Sequence, residues 1–325
     1  MTEFRLPQGM RDLIPQDCER KQKFRGAIEG IFDAHGYQPV ETPAVEYYET
    51  YRSAFGTVKD REMYKFLDQD GEILTLRVDM TVPIARLCAT KYAQAQPPFR
   101  FRYCADVFKV RELFAGKRAQ VTDCGIELIG GDSRSDIEVL SIALEVMDHL
   151  GLSGWQLEIG NTGFFRRACE QLQISEADAS VLADLIDRKS LVDLKSRLDG
   201  FGLSAEGRRL LEELPMLGGS DALARAEQLS FSDGLRREVD TLRQLDLSLR
   251  QRGYGSRISC DFGKVPHLNY YTGIIFEGYA SGAGVAVLSG GRYDSLLQRF
   301  GRDLPACGFS VKLDYLMDAE GGETE

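Results

Sequence analysis

Two adjacent phenols, Tyr270 and Tyr271, close a polar run that begins at Lys264, passes Pro266 and His267, and leads through Thr272-Gly273 into the apolar Ile274-Ile275-Phe276. Pro266 carries no charge and cannot donate even a backbone N–H. Elsewhere a carboxylate and a hydroxyl two residues apart, Asp79 and Thr81, head an apolar helical pattern, and taken alone they read as its caps. Lys109, Asp123 and Glu127 fall on two strand-like segments. A strand-borne glutamate beside glycine, such as Glu127 after Gly125-Ile126, is ordinarily solvent-facing. Arg100, Arg102, Lys109, Arg111, Lys117 and Arg118 make one positive stretch. It reads either as a solvated strand-loop-strand or as an anion-binding arm.

The surrounding composition narrows the chemistry. The chain has 325 residues, 43% of them hydrophobic, enough for one large domain or two modest ones with a real core. Its formal charge of −10 and pI near 5.1 argue against a general nucleic-acid binder, which needs a basic face. The seven cysteines (Cys18, Cys88, Cys104, Cys124, Cys169, Cys260 and Cys307) are scattered singly, and only three histidines accompany them. Zinc-ligand spacing is absent, and dispersed cysteines suit a reducing compartment. No secretory pattern opens the chain, and no apolar run approaches the ~18–20 residues that span a bilayer. A soluble, cytoplasmic protein is expected. No phosphate loop occurs, and neither Gly282-Ala283-Gly284 nor Gly290-Gly291 forms a dinucleotide fingerprint.

The elements that must carry these residues follow from periodicity. Phe24, Ile28, Ile31 and Phe32 lie on one stripe of a helix over 17–35, ended by Gly36. Tyr37 to Val45 reads as a strand interrupted by Pro39 and Pro43, hence at an edge or a subunit boundary. Strands at 63–67 and 73–77 bracket the turn Asp68-Gln69-Asp70-Gly71, and Thr81 caps a helix to about Tyr92. A long hairpin is expected over 99–110 and 118–130, then a helix over 136–150 and a short strand over 155–160. From Ser175 to about Arg252 the sequence turns Leu-, Ala-, Arg- and Glu-rich, which reads as a helical insertion over 173–252. Strands return at 256–262, 271–279 and 284–288. Gly290-Gly291-Arg292 then opens a helix, Cys307 to Lys312 forms a strand, and a helix and a frayed tail close the chain. Antiparallel strands with helices gathered aside argue α+β rather than doubly wound α/β.

At this point specific segments resemble histidyl-tRNA synthetases, over nearly the whole chain. Leu6-Pro7-Gln8-Gly9-Met10-Arg11-Asp12 resembles their amino-terminal signature, and Gly36-Tyr37 with Pro43 resembles motif 1 of class II synthetases, the dimer-interface helix and strand. Leu76-Arg77-Val78-Asp79-Met80-Thr81 is similar to the family's segment that binds the amino acid's ammonium group. Phe108-Lys109 through Gly125-Ile126-Glu127 resembles motif 2, and Tyr270-Tyr271-Thr272-Gly273 the histidine-recognition strand. Gly290-Gly291-Arg292-Tyr293-Asp294 matches a further segment. The resemblance implies a class II synthetase-like antiparallel sheet flanked by helices over 1–325, with the insertion at 173–252 and no anticodon-binding domain. It implies a histidine site made by Asp79, Thr81, Lys109, Asp123, Glu127, Tyr270 and Tyr271, with Glu127 on the imidazole.

Three positions depart from that family. Arginines that steady the anionic phosphate and carboxylate are replaced by Lys109, Pro266 and Tyr315. Removing one preorganised electrostatic group typically costs ~3–4 kcal/mol of transition-state stabilisation. Recognition is retained and adenylation is lost, so no residue here is expected to be catalytic and no metal site is expected. That division resembles the synthetase-like regulatory subunits of short-form ATP phosphoribosyltransferase. The resemblance implies dimers assembled with short catalytic subunits into a hetero-octamer, which support activity and relay inhibition by L-histidine. It implies no cofactor of the chain's own, no membrane, and no productive tRNA binding. The alternative is a truncated ligase that adenylates histidine for a non-tRNA acceptor. It needs a substitute cation near Pro266, for which Arg257, Lys264 and Lys312 are candidates.

Overall fold

The computed structural model describes residues 5–55, 60–111, 117–132, 134–265 and 271–320. Its strands are β1 (Gln38–Pro39), β2 (Val45–Tyr47), β3 (Lys65–Leu67), β4 (Ile73–Leu76), β5 (Phe99–Phe108), β6 (Gln120–Ile129), β7 (Gln156–Asn161), β8 (Gly218–Gly219), β9 (Ile258–Asp261), β10 (Ile274–Tyr279), β11 (Leu288–Arg292) and β12 (Ala306–Lys312). Among the described residues these form a nine-stranded sheet in the order β1-β5-β6-β12-β11-β10-β7-β9-β8 and a small sheet β2-β4-β3. The pairs are antiparallel except β1 with β5 and β7 with β9. The class is α+β, as expected, with two parallel joins in the largely antiparallel sheet.

Helix α1 (Pro15–Ala34) starts with proline at its first position, where the missing N–H costs nothing, and buries Ile28, Ile31 and Phe32. The Phe32 ring meets Phe309 of β12 edge-on at 5.8 Å. Further along come α2 (Tyr48–Phe55), α3 (Thr81–Lys91) and α4 (Ser135–His149). The α4 stripe Val139, Leu140, Ala143, Leu144 and Met147 is fully buried. Helix α5 (Thr162–Gln171) leads into the inserted region, where α6 (Glu176–Asp187) is capped by the Ser175 hydroxyl on the Asp178 N–H. The helices α7 (Leu191–Leu198), α8 (Ala205–Glu213), α9 (Ala222–Leu229) and α10 (Asp233–Leu249) follow, and α11 (Leu313–Glu320) comes last. Within 173–252, β8 pairs with β9, so this helical region also supplies the edge strand of the large sheet.

Several local expectations are corrected. The interrupted strand over 37–45 is two short strands in different sheets, separated by Val40 to Ala44, with Pro43, which cannot donate to a ladder, in the gap. Gly290-Gly291-Arg292 does not open a helix but belongs to β11. A Cβ on Gly290 would collide with the Gly308 carbonyl and the Phe309 side chain, and one on Gly291 would lie 2.8 Å from the Tyr271 ring. Thr81 does not cap α3; the Asp79 Oδ1 accepts the Val82 N–H at 3.0 Å instead. The cysteines are not all isolated, since Cys104 and Cys124 face each other across β5 and β6 and are joined by a disulfide. The tail at 321–325 lies outside the described residues.

Candidate functional site

The central strand β6 builds the site. Side chains alternate along a strand, so Asp123, Gly125 and Glu127 share one face while Cys124, Ile126 and Leu128 share the other. The first face floors a cleft of about 690 Å³, a size typical of small-molecule sites. Asp79, Thr81, Lys109 and Tyr271 also line it, so six of the seven expected residues come together. Tyr270, with Pro266, lies outside the described residues.

Glu127 is buried, with only 1% exposure, which overturns its reading as a solvent-facing residue. The Thr81 hydroxyl donates to its Oε1 at 2.7 Å, and the Tyr293 hydroxyl donates to its Oε2. Opposite it in register stands Gly308, where a Cβ would collide with the carboxylate. Burial pushes the Glu127 carboxyl up to about 8; the two hydroxyls lower it, and the nearby Asp79 charge raises it. At neutral pH Glu127 is therefore chiefly the neutral acid.

Four residues back, about 13 Å along the strand, Asp123 pairs in register with Lys312 of β12. Burial raises the Asp123 carboxyl, with Lys312 and Lys109 acting against that and Asp79 adding to it. Its Oδ1 is buried without a hydrogen-bond partner among the described residues. Burial likewise lowers the Lys312 ammonium, supported by Asp123 and opposed by Lys109 and Arg111. The Lys312 Nζ donates to Ser289 Oγ at 2.6 Å. Asp79 acts on both Glu127 and Asp123, whereas the cations act on Asp123. Glu127 and Asp123 thus stand four residues apart on one strand face, with Lys312 opposite Asp123 and with Asp79 and Lys109 in the same lining.

The strand entering at Tyr271 is fixed from below. The Arg166 guanidinium donates to the Tyr271 carbonyl at 2.7 Å, and Thr162 Oγ1 donates to the Gly273 carbonyl at 2.9 Å. Beside the cleft Lys264 pairs with Glu277 at 2.6 Å and with Glu158 at 3.3 Å. Burial works against the Lys264 charge, but Glu277 and Tyr279 more than offset it and its pKa is raised.

The positive stretch divides. Arg100 pairs with Glu138, Arg102 with Glu29 and Asp33, and Arg118 with Asp318, so these tie helices to the sheet. Lys109, Arg111 and Lys117 line the cleft. Tyr315 is buried away from the cleft lining, its hydroxyl accepting the Arg118 backbone N–H at 3.0 Å.

Tyr293, Ser289, Tyr103 and Glu277 belong to the lining without having been expected as histidine contacts, as do Asp184 of α6 and Arg188, which caps its end. Strand alternation places Tyr103 beside Gly125, its register partner, so that residue was within reach of pattern reading. Nothing local marks α6 as a wall of the cleft. Among the described residues, no group of histidine, cysteine and carboxylate side chains is placed to hold a metal ion, and no helix is long and apolar enough to cross a membrane.

Comparison with known proteins shows the family. The family model described as histidyl-tRNA synthetase matches residues 9–316. The ATP phosphoribosyltransferase regulatory subunit of Acetivibrio thermocellus is 36% identical over 323 residues, covering 98% of this chain and 77% of that protein. Its counterpart in Geobacillus thermodenitrificans is 37% identical over 320 residues, covering 98% and 81%. A crystal structure described as an ATP phosphoribosyltransferase regulatory subunit/histidyl-tRNA synthetase from Bacillus halodurans superposes with a TM-score of 0.88 at 32% identity, covering 98% of this chain and 83% of that one. With its glutamate-floored cleft on a class II synthetase-like sheet, the chain belongs to the histidyl-tRNA-synthetase-like family of ATP phosphoribosyltransferase regulatory subunits.

Proposed function

We propose that this chain is the non-catalytic regulatory subunit of a short-form ATP phosphoribosyltransferase, the first step of histidine biosynthesis, and that it binds L-histidine in the β6 cleft. The observation that carries the reading is the placement of charged groups in that cleft. A buried carboxyl at Glu127 and, four residues along β6, Asp123 with Lys312 opposite it, in a cleft that Asp79 and Lys109 also line, suit the imidazole at one end and the ammonium and carboxylate at the other end of a histidine zwitterion. Tyr270 and Tyr271 complete the site in this reading.

The chain supports a separate catalytic subunit and relays feedback inhibition, a coupling of a few kcal/mol that acts both ways for binding. Catalysis belongs to the partner, and this chain uses no cofactor of its own, works in the cytoplasm and binds no tRNA productively. Tyr315, buried where an adenylating enzyme of this fold has arginine, supports the absence of adenylation. Self-association within a hetero-octamer is part of the same reading. Val45, Tyr47, Phe66, Leu67 and Ile73, apolar side chains left exposed on the small sheet and its ends, support it.

The test mixes this chain with a short phosphoribosyltransferase catalytic chain and follows phosphoribosyl transfer at graded histidine. Activity should rise on mixing and fall as histidine is added. ATP–pyrophosphate exchange with histidine by the isolated chain would refute the proposal.

A further inference from the structure

The cation that holds the effector's carboxylate is the remaining question in the cleft, because Pro266 stands where the resembled synthetases have an arginine. The three basic residues named above as substitute cations near Pro266 for the ligase alternative are separated by the structure. Arg257 stacks over Trp155 at 4.9 Å and donates to the Trp155 carbonyl at 3.2 Å, outside the cleft lining. Lys264 is engaged by Glu277 and Glu158. Lys312 lines the cleft, and its one hydrogen bond among the described residues goes to the neutral Ser289 hydroxyl.

An ammonium group carries three donors, and donors taken out of water need acceptors. Ser289 takes one. Asp123 sits opposite Lys312 in register and supports its charge, yet no carboxylate lies within ion-pair distance of Lys312 among the described residues. Lys109 and Arg111 repel it. A half-buried lysine beside further cations, with donors to spare, is a place where an anion gains. Asp123 presents the complementary case, a buried carboxylate oxygen that lacks a donor. A zwitterion supplies both partners at once.

We propose that Lys312 is the anchor for the α-carboxylate of the bound amino acid, with Asp123 accepting from its ammonium group, so that the cleft selects the amino acid over derivatives that lack the carboxylate. The proposal deepens the reading of the cleft as a histidine site and rests on it. Lys312 extends from β12, a strand far along the chain from motif 2, so β12 and β6 close on the ligand from both sides of one ladder.

The experiment is calorimetric titration of the full-length protein with L-histidine and with L-histidinol, which has an alcohol in place of the carboxylate. Wild type and Lys312→Met are compared, with Glu127→Gln as a marker of the cleft. Loss of one charge-assisted contact should weaken histidine about 10–100-fold in Lys312→Met. Histidinol affinity should be unchanged by that substitution. Lys312→Gln keeps a donor for Ser289 while losing the charge, and serves the same comparison if the methionine variant unfolds. Equal losses for both ligands, or histidine affinity untouched by either Lys312 variant while Glu127→Gln still weakens it, would overturn this inference alone. A wild-type protein that binds no histidine would overturn the reading of the cleft and this inference together.

Discussion

Glu127→Gln should make the protein more stable and a poorer binder, and the two effects should separate with pH. The wild-type carboxyl moves from an ordinary value of 4.5 to about 8 on folding, chiefly through burial. Its folded pKa is raised, so its contribution is fully present below pH 4.5 and is lost as pH climbs towards 8. In that window the unfolded chain releases the proton that the folded chain retains. The loss runs at about 1.4 kcal/mol per pH unit, several kcal/mol across the window. Glutamine has nearly the same shape and no proton to lose, so the variant should match wild type near pH 5 and exceed it by several kcal/mol at pH 8.5. Urea denaturation at pH 5, 7 and 8.5 reads this directly. Histidine binding should move the other way, because glutamine cannot pair as an anion with imidazolium. The expected loss at pH 7 is ~1–3 kcal/mol, roughly 5–150-fold in calorimetry. A stability difference independent of pH would refute the argument from burial, and an unchanged affinity would place the effector outside this cleft.

The remaining expectations use the same geometry. If neutral Glu127 hands its proton to neutral imidazole, histidine affinity should be flat between an imidazole pKa near ~6.5 and the Glu127 value of about 8. It should fall about tenfold per pH unit below that range, where binding must release a proton; calorimetry in buffers of differing ionisation enthalpy measures it. Gly308→Ala should destabilise the fold by about 1–3 kcal/mol and abolish binding, since the added methyl collides with Glu127 and the Ile126 carbonyl; denaturation and titration together check this. Asp314 accepts the Thr122 N–H at 2.7 Å and pairs with Arg11 and Lys21. Asp314→Ala should therefore cost about 2–4 kcal/mol, measured as a lowered denaturation midpoint with histidine affinity nearly unchanged.

Which parts of the molecule were legible in sequence depends on how local their cause is. The stripes of α1 and α4 and the β5–β6 hairpin follow from periodicity, because burying one face requires apolar residues at fixed spacing. Ser175 was recognisable as the cap of α6 because a cap is satisfied within three residues. Gly290-Gly291 was misread for the opposite reason. Glycine is poor in strands on intrinsic grounds, but here its missing side chain makes room for Gly308, Phe309 and the Tyr271 ring, all distant in the chain. The positive stretch looked uniform, yet the strand pleat sends Arg100 and Arg102 to ion pairs with helices while Lys109 meets the cleft.

The amino-acid sequence alone determined the α+β class, the segments that carry the site, and the exchange of arginines for Lys109, Pro266 and Tyr315, because each is a matter of residue type at a position. Tertiary structure decided what those residues are. Glu127 became a buried, largely neutral acid only through the segments packed over it, which desolvate the carboxyl more than the Thr81 and Tyr293 hydroxyls, 46 and 166 positions away, stabilise its charge. Lys312 became a cation facing Asp123 only through the register of β12 on β6. Burial and charge partnership are properties of segments brought side by side, and a side chain's protonation and reach are fixed by those neighbours rather than by its own stretch of chain.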